Sequence, residues 1–184
     1  MAGRGKPKKL NAEQLWDFAL ASLGRRAQSA AELRRKLVSR ADSPQAVTLV
    51  MSKLADYRIA DDARFSEAFA SSRLQNKGLG KMRVMRDLRA RQVPERVASA
   101  AVEKAYQDTE EPQLIEAYLS RRYRNQDLRE FLKDPKNLAA AYRRLRTAGF
   151  RSGPSLDALK RHTAMPEDWA EPDESDEENG PRDL

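Results

Sequence analysis

Three groups of basic side chains carry the chemistry that this chain offers: Arg34, Arg35 and Lys36; Arg83, Arg86 and Arg89; Arg143, Arg144 and Arg146. Each group sits beside an apolar stripe of helical period, set by Leu33 and Leu37, by Val84 and Leu88, and by Tyr142 and Leu145. Guanidinium forks hold planar oxyanions through paired hydrogen bonds, so the chemistry is recognition of phosphate or carboxylate. Residue type does not choose between a nucleic-acid backbone and an acidic protein surface. Arg73, Lys77 and Lys81 surround a Lys77-Gly78-Leu79-Gly80 turn and complete the set of candidate partner- or DNA-binding residues.

Catalytic constellations are not visible. His162 is the one histidine and there is no cysteine, so no thiolate or multi-histidine metal site can be assembled. A lone histidine near a helix end reads as a surface or capping group. The pairs Asp61–Asp62 and Glu110–Glu111 could suggest a magnesium site, but adjacent helical residues point about 100° apart. Both pairs stand where helices begin, and the helix dipole favours negative charge there. The turn K-G-L-G-K lacks the spacing of a phosphate loop, and no strand precedes it. Phe18, Phe65, Phe69 and Tyr118 all lie in apolar phase, which predicts core packing over base stacking. The expectation is a protein that is not an enzyme and holds neither cofactor nor metal.

The elements that position the basic groups are helices in a pattern written three times, about fifty residues apart. Leu37, Leu88 and Leu145 close a basic helix, and Pro44, Pro94 and Pro154 open the next one 7, 6 and 9 residues later. Proline suits a first helical turn, where its missing N–H has no partner to lose. Capping boxes are expected at Asn11/Gln14 and Ser29/Glu32, and Asp134 with Pro135 should start a helix that Gly149 stops. Nothing alternates with period two, so the fold is predicted all-α. The reading divides the chain into a flexible basic arm (1–10), three-helix repeats over 11–59, 60–108 and 109–164, and a disordered acidic tail (165–184). The third repeat carries an insert at 124–137 with a short helix around Leu128, Phe131 and Leu132. In the second repeat Ala68 joins Phe65 and Phe69 on the inward stripe.

The net charge of +7 over 184 residues hides an asymmetry. Residues 167–184 hold nine acidic groups and one basic, a charge of −8, which leaves 34 basic and 19 acidic groups, +15, on residues 1–166. Such a body attracts polyanions. With no apolar run near the roughly 20 residues of a membrane helix, a cytoplasmic protein without membrane contact is expected.

The motifs S-A-A-E-L-R-R-K-L at 29–37, D-D-A-R-F-S-E-A-F at 61–69 and S-R-L-Q-N-K-G-L-G at 72–80 resemble the RecX family of bacterial recombination regulators, with a weaker echo in R-R-L-R-T-A-G-F at 143–150. The resemblance implies tandem three-helix repeats forming an elongated, curved monomer. It also implies binding in the groove of the RecA filament, with inhibition of its ATPase, strand-exchange and coprotease activities. Such a protein would modulate recombinational DNA repair and the SOS response. A weaker, non-specific affinity for single- or double-stranded DNA goes with the family, and direct DNA binding is the alternative reading. The tail over 167–184, tethered beside the basic body, should compete with DNA at high effective concentration. Deleting it should tighten DNA binding at low salt, with a gain that shrinks as salt rises; equal affinities of full-length and truncated protein would refute this.

Overall fold

The computed structural model describes residues 9–164. Of the basic arm, only Lys9 and Leu10 fall within that range; the acidic tail, with Trp169, lies outside it. The described residues form ten helices: α1 (Ala12–Arg25), α2 (Ala30–Arg40), α3 (Pro44–Asp56), α4 (Asp62–Lys77), α5 (Lys81–Ala90), α6 (Glu95–Tyr106), α7 (Glu111–Arg122), α8 (Leu128–Phe131), α9 (Pro135–Thr147) and α10 (Ser152–His162). Among them the only strand-like pairing is a single bridge between Leu10 and Ala41. None of the helices is long and apolar enough to cross a membrane. The fold is all-α.

The helix starts follow from their caps. Asn11 accepts from the Gln14 N–H at 3.0 Å while Gln14 reaches back to the Asn11 N–H, and Ser29 and Glu32 repeat the arrangement at α2. Ser43 caps α3 ahead of Pro44, Asp61 accepts from the Ala63 and Arg64 N–H groups, and Asp134 precedes Pro135 at α9. Three helices stop alike. After α3, α5 and α9 the residue in left-handed conformation is Arg58 (φ 52°), Gln92 (φ 58°) and Gly149 (φ 92°). The next N–H bonds back five residues, Ile59 to Leu54, Val93 to Leu88 and Phe150 to Leu145. This is the Schellman closure, with its apolar residues at both ends of the bond.

Four expectations need correction. Helix α10 begins at Ser152, so Pro154 lies inside its first turn, where a missing N–H still breaks no helical bond. Pro94 lies one residue before α6 and offers its carbonyl to the Val97 and Ala98 N–H groups. Ala68 is exposed. The arm is tied at its described end: the Leu10 N–H donates to the Arg40 carbonyl at 2.8 Å, and its side chain packs on the core.

The chain gathers into two compact units. Unit 1 comprises residues through Phe69 together with Asp87–Ala101. Its core is built by Leu15, Ala19, Leu33, Leu37, Val47, Val50 and Leu54, which follow the 3.6-residue period of α1 to α3. Arg91 ties this unit at the start of α2: its carbonyl accepts from Ser29 Oγ at 2.6 Å, and its guanidinium bonds Glu32 at 3.1 Å and covers the Phe69 ring at 5.0 Å. Asp62 accepts from the Ala30 N–H at 2.8 Å, so the second acid of its pair serves another helix's start.

Among the described residues, unit 2 comprises Ala70–Arg86 and 102–164. Ile115, Leu119, Leu132, Leu138, Tyr142, Leu145, Phe150 and Leu159 form its core. Helices α7 and α10 are joined by Glu116, which takes hydrogen bonds from Arg161 at 2.7 and 3.0 Å and stands 2.8 Å from His162 Nε2. At Gly80 and Gly149 two backbones meet. The Gly80 N–H donates to the Ala148 carbonyl at 2.8 Å and the Met82 N–H to the Gly149 carbonyl at 3.2 Å. A methyl group at Gly80 would overlap the Gly149 carbonyl, and one at Gly149 would overlap the Arg83 backbone.

Gly149→Ala should therefore destabilise by about 1–2 kcal/mol from its left-handed φ and about 1–3 kcal/mol from the overlap. Gly24→Ala, which meets nothing within 4 Å, should be neutral or stabilising. Urea midpoints that move alike in the two variants would deny the close approach. A second expectation concerns acid. Burial alone would raise the Glu116 carboxyl, but the hydrogen bonds from His162 and Arg161 prevail and hold it below the usual range. A depressed folded value gives stability that is complete above the unfolded value of about 4.3 and is lost as pH falls through the folded value. Glu116→Gln should flatten this part of the melting temperature–pH curve; parallel curves would refute it.

Candidate anion-binding surfaces

Two hollows among the described residues are rich in cations and lined by no carboxylate. In unit 1, α1 presents Phe18, Ala21, Ser22 and Arg25, spaced to share one helical face. Helix α2 presents Lys36, Ser39 and Arg40 opposite them, and Arg26 closes the end of a space of about 480 Å³. The walls are ordered by their own contacts. Lys36 Nζ donates to Ser22 Oγ at 3.3 Å, Gln28 Nε2 donates to the Ser22 carbonyl at 2.8 Å, and the Arg40 guanidinium lies 5.5 Å from the Phe18 ring centre.

The unit 2 cleft, about 530 Å³, runs from the end of α4 to the end of α7. Asn76, Lys77 and Leu79 form one wall, and Tyr118, Arg121, Arg122, Arg124, Asn125 and Gln126 the other. The Arg121 guanidinium donates to the Lys77 carbonyl and joins the two walls. Gly78 makes this possible: its φ is +58°, and a Cβ there would come within 2.6 Å of Arg121 Nη2. Tyr118 packs edge-on against Phe150, with ring centres 5.5 Å apart. Burial pushes its phenol up against the opposing charges of Arg144, Arg122 and Arg121, so it stays neutral at ordinary pH.

A third hollow in unit 2, about 440 Å³, is of mixed character, with Lys81 and Arg151 facing Glu110 and Glu111 over Met82, Tyr106 and Leu114. Both of its cations are paired: Lys81 with Glu103 at 3.1 Å, and Arg151 with Glu111 at 2.6 Å. Glu111 also accepts from the Arg151 N–H at the start of α10. Glu110 makes no side-chain cap bond, so capping does not account for both members of that pair.

Of the basic residues singled out in the sequence, Lys36 and Lys77 line the two acid-free hollows. Arg34 and Arg35 stand exposed on α2. Arg83 and Arg86 both donate to the Thr147 carbonyl at 3.2 Å, and Arg146 donates to the Phe150 carbonyl at 2.8 Å. The first two guanidiniums converge on the carbonyl end of α9, where cations complement the helix dipole, and the third ties the turn that follows it. Arg89 grips Glu95 at 2.5 and 2.8 Å, and Arg144 donates to the Tyr123 hydroxyl at 3.1 Å. Arg73 and Arg143 are half-buried. Arg25, Arg26, Arg40, Arg121, Arg122 and Arg124 went unremarked in the sequence. The run R-R-Y-R-N-Q at 121–126 carries the last three, at the edge of the insert. His162 pairs with Glu116, a contact its position at a helix end did not reveal. Among the described residues no group of His, Asp and Glu could hold a metal ion.

Residues 61–102 match the family model described as RecX, second three-helix domain. The chain is 39% identical over 87 residues to the regulatory protein RecX of Chromohalobacter salexigens, a match covering 47% of this chain and 57% of that protein. It is 28% identical over 169 residues to the regulatory protein RecX of Deinococcus radiodurans, covering 91% of this chain and 78% of that one. The first of these matches, like the 36% match to the protein of Halorhodospira halophila, spans little more than half the relative's length. In fold the chain is similar to a crystal structure of RecX from Lactobacillus salivarius, with a TM-score of 0.61 at 17% identity over 82% of this chain and 96% of that one. Motifs, fold and relatives point the same way: residues 61–102 match the RecX second three-helix domain, in a chain similar to RecX regulatory proteins.

Proposed function

We propose that this chain is a non-enzymatic, cytoplasmic regulator that binds in the groove of the RecA filament and inhibits its ATPase, strand-exchange and coprotease activities. The observation that carries this reading is the pair of acid-free basic hollows, one in each unit of a chain with a RecX-type domain. Three-helix repeats over 11–59, 60–108 and 109–164 supply the frame for several modest interfaces. Linking them raises the effective concentration for each further contact. Arg34 and Arg35, with Lys36 and Lys77, are the residues of the sequence reading best placed to touch the filament; those holding carbonyls at the end of α9 act first as structural ties. The same hollows support the second reading, direct and non-specific binding of DNA.

Titrating the protein into RecA on single-stranded DNA, well below the amount that coats the DNA, separates the two. Substoichiometric loss of ATPase is expected. The double variant Arg25→Ala/Lys36→Ala should need about tenfold more protein for the same inhibition, the equivalent of roughly 1.4 kcal/mol. Inhibition that begins only at DNA-coating concentrations would transfer the function to direct DNA binding.

A further inference from the structure

We propose that the unit 2 cleft is a nucleotide site, taking one unpaired nucleotide of a single strand with its phosphodiester on the cationic side and its base on the neutral side. The inference rests on the preceding reading only in supposing that a nucleic-acid strand lies within reach; the site itself is argued from its walls.

The cleft has two chemical halves. Lys77 and Arg124, both exposed, supply charge at its mouth, and no carboxylate lines it to cancel them. The other half is uncharged: Asn76, Asn125 and Gln126 bring carboxamides, and Tyr118 offers a half-buried ring. A bare phosphate or a carboxylate group uses donors alone, so the acceptor oxygens of three carboxamides would be idle in binding either. The edge of a base presents donors and acceptors together, which carboxamides match from both sides. A flat base also has an aromatic face for Tyr118, and stacking of this kind is tolerant of sequence. Duplex DNA offers a concave cleft only its phosphates, because its bases are paired and stacked. The volume of about 530 Å³ lies within the range of roughly 300–1,000 Å³ usual for ligand sites.

The walls are also fixed in advance. Arg121 bridges α7 to the Lys77 carbonyl across Gly78, and the Leu79 N–H bonds the Arg73 carbonyl at 3.3 Å. A cleft already held open loses little freedom when a ligand enters. The unit 1 hollow lacks carboxamides among its lining residues and has no such neutral half. It suits an anion of any kind.

The test uses the full chain and three fluorescent probes of equal length: oligothymidylate, an abasic phosphodiester strand and a blunt duplex. Anisotropy titrations at one ionic strength should show oligothymidylate bound at least about fivefold tighter than the abasic strand, the size expected of a single stacked base. Arg124→Gln should weaken binding of both strands alike, as loss of a phosphate contact does. Asn125→Ala and Tyr118→Leu should bring the two affinities together and leave the abasic strand unaffected. Should Tyr118→Leu lower the melting temperature through its contact with Phe150, Asn125→Ala and Gln126→Ala, both on exposed residues, decide alone. Equal wild-type affinity for the thymidylate and abasic strands, or a preference for the duplex, overturns the proposal. So does a base preference that survives the carboxamide variants, or a polyglutamate competitor that displaces oligothymidylate as well as the abasic strand does. RecA ATPase measured on the same samples keeps the two readings apart: intact base preference without inhibition sinks the filament role, and inhibition without base preference sinks the nucleotide site.

Discussion

Backbone lying directly on backbone is the constraint from which unit 2 is built. A helix leaves unpaired N–H groups at its start and unpaired carbonyls at its end, and burying them without partners is costly. Around Gly80 and Gly149 the carbonyls that close α9 meet the amides that open α5, so each end answers the other. Arg83 and Arg86 complete the exchange at Thr147. Only glycine allows the approach, because any Cβ would stand where the other chain runs. The adjoining segment depends on it: the Leu79 carbonyl receives the Tyr106 hydroxyl at 2.5 Å, and Lys77 and Leu79, just before the contact, form a wall of the cleft. Unit 1 meets the same need with side chains: Asp62 accepts from the Ala30 N–H at the start of α2, and Arg91 holds the Ser29 and Glu32 caps in place through its carbonyl and its guanidinium.

The basic excess of the chain is thus divided between two uses. Arg83, Arg86 and Arg146 point at carbonyls, while Arg89, Arg91, Arg151 and Arg161 hold Glu95, Glu32, Glu111 and Glu116. Exposed pairs such as Arg89–Glu95 contribute little to stability, but they cancel charge locally. In the two hollows no carboxylate is among the lining residues, and of the unit 1 cations Arg26 also reaches Glu32, at 3.6 Å. Position relative to acids, more than the number of arginines, locates the surfaces that can attract an anion.

Helix starts were legible because their signals are local. Asn11 with Gln14, Ser29 with Glu32, and Asp134 with Pro135 act within four residues, and each does what its sequence predicts. Helix ends were legible where glycine stands, at Gly78 and Gly149. Arg58 and Gln92 occupy the same left-handed position without the residue that announces it, since the apolar pairs Leu54–Ile59 and Leu88–Val93 hold the turn closed. The repeat of leucine and proline misplaced the start of α10, because Pro154 is equally at ease anywhere in a first turn. The hollows were not legible at all. Arg25 and Arg40 share one only because α1 and α2 lie side by side, and Lys77 meets Arg121 only because Gly78 leaves room. Such pairings depend on tertiary packing, which a run of basic residues does not encode. The arginines of α5 read as a stripe, and it took the position of the Thr147 carbonyl to show that two of them serve the fold.

The way the chain is shared between its units bears on how it can be made and divided. Unit 1 recruits Asp87–Ala101 after the chain has already contributed Ala70–Arg86 to unit 2. During synthesis, residues around Gly80 must therefore wait until Gly149 has left the ribosome before their amides find permanent partners. Contacts so distant in sequence are slow to form, because loop closure must precede any gain from them. Nor can a single cut separate the two units. A fragment ending just after Ala101 keeps every residue of unit 1 but strands the segment at 70–86, and the remainder lacks the amides that close α9. The two units interleave along the chain, so neither is a continuous stretch of it.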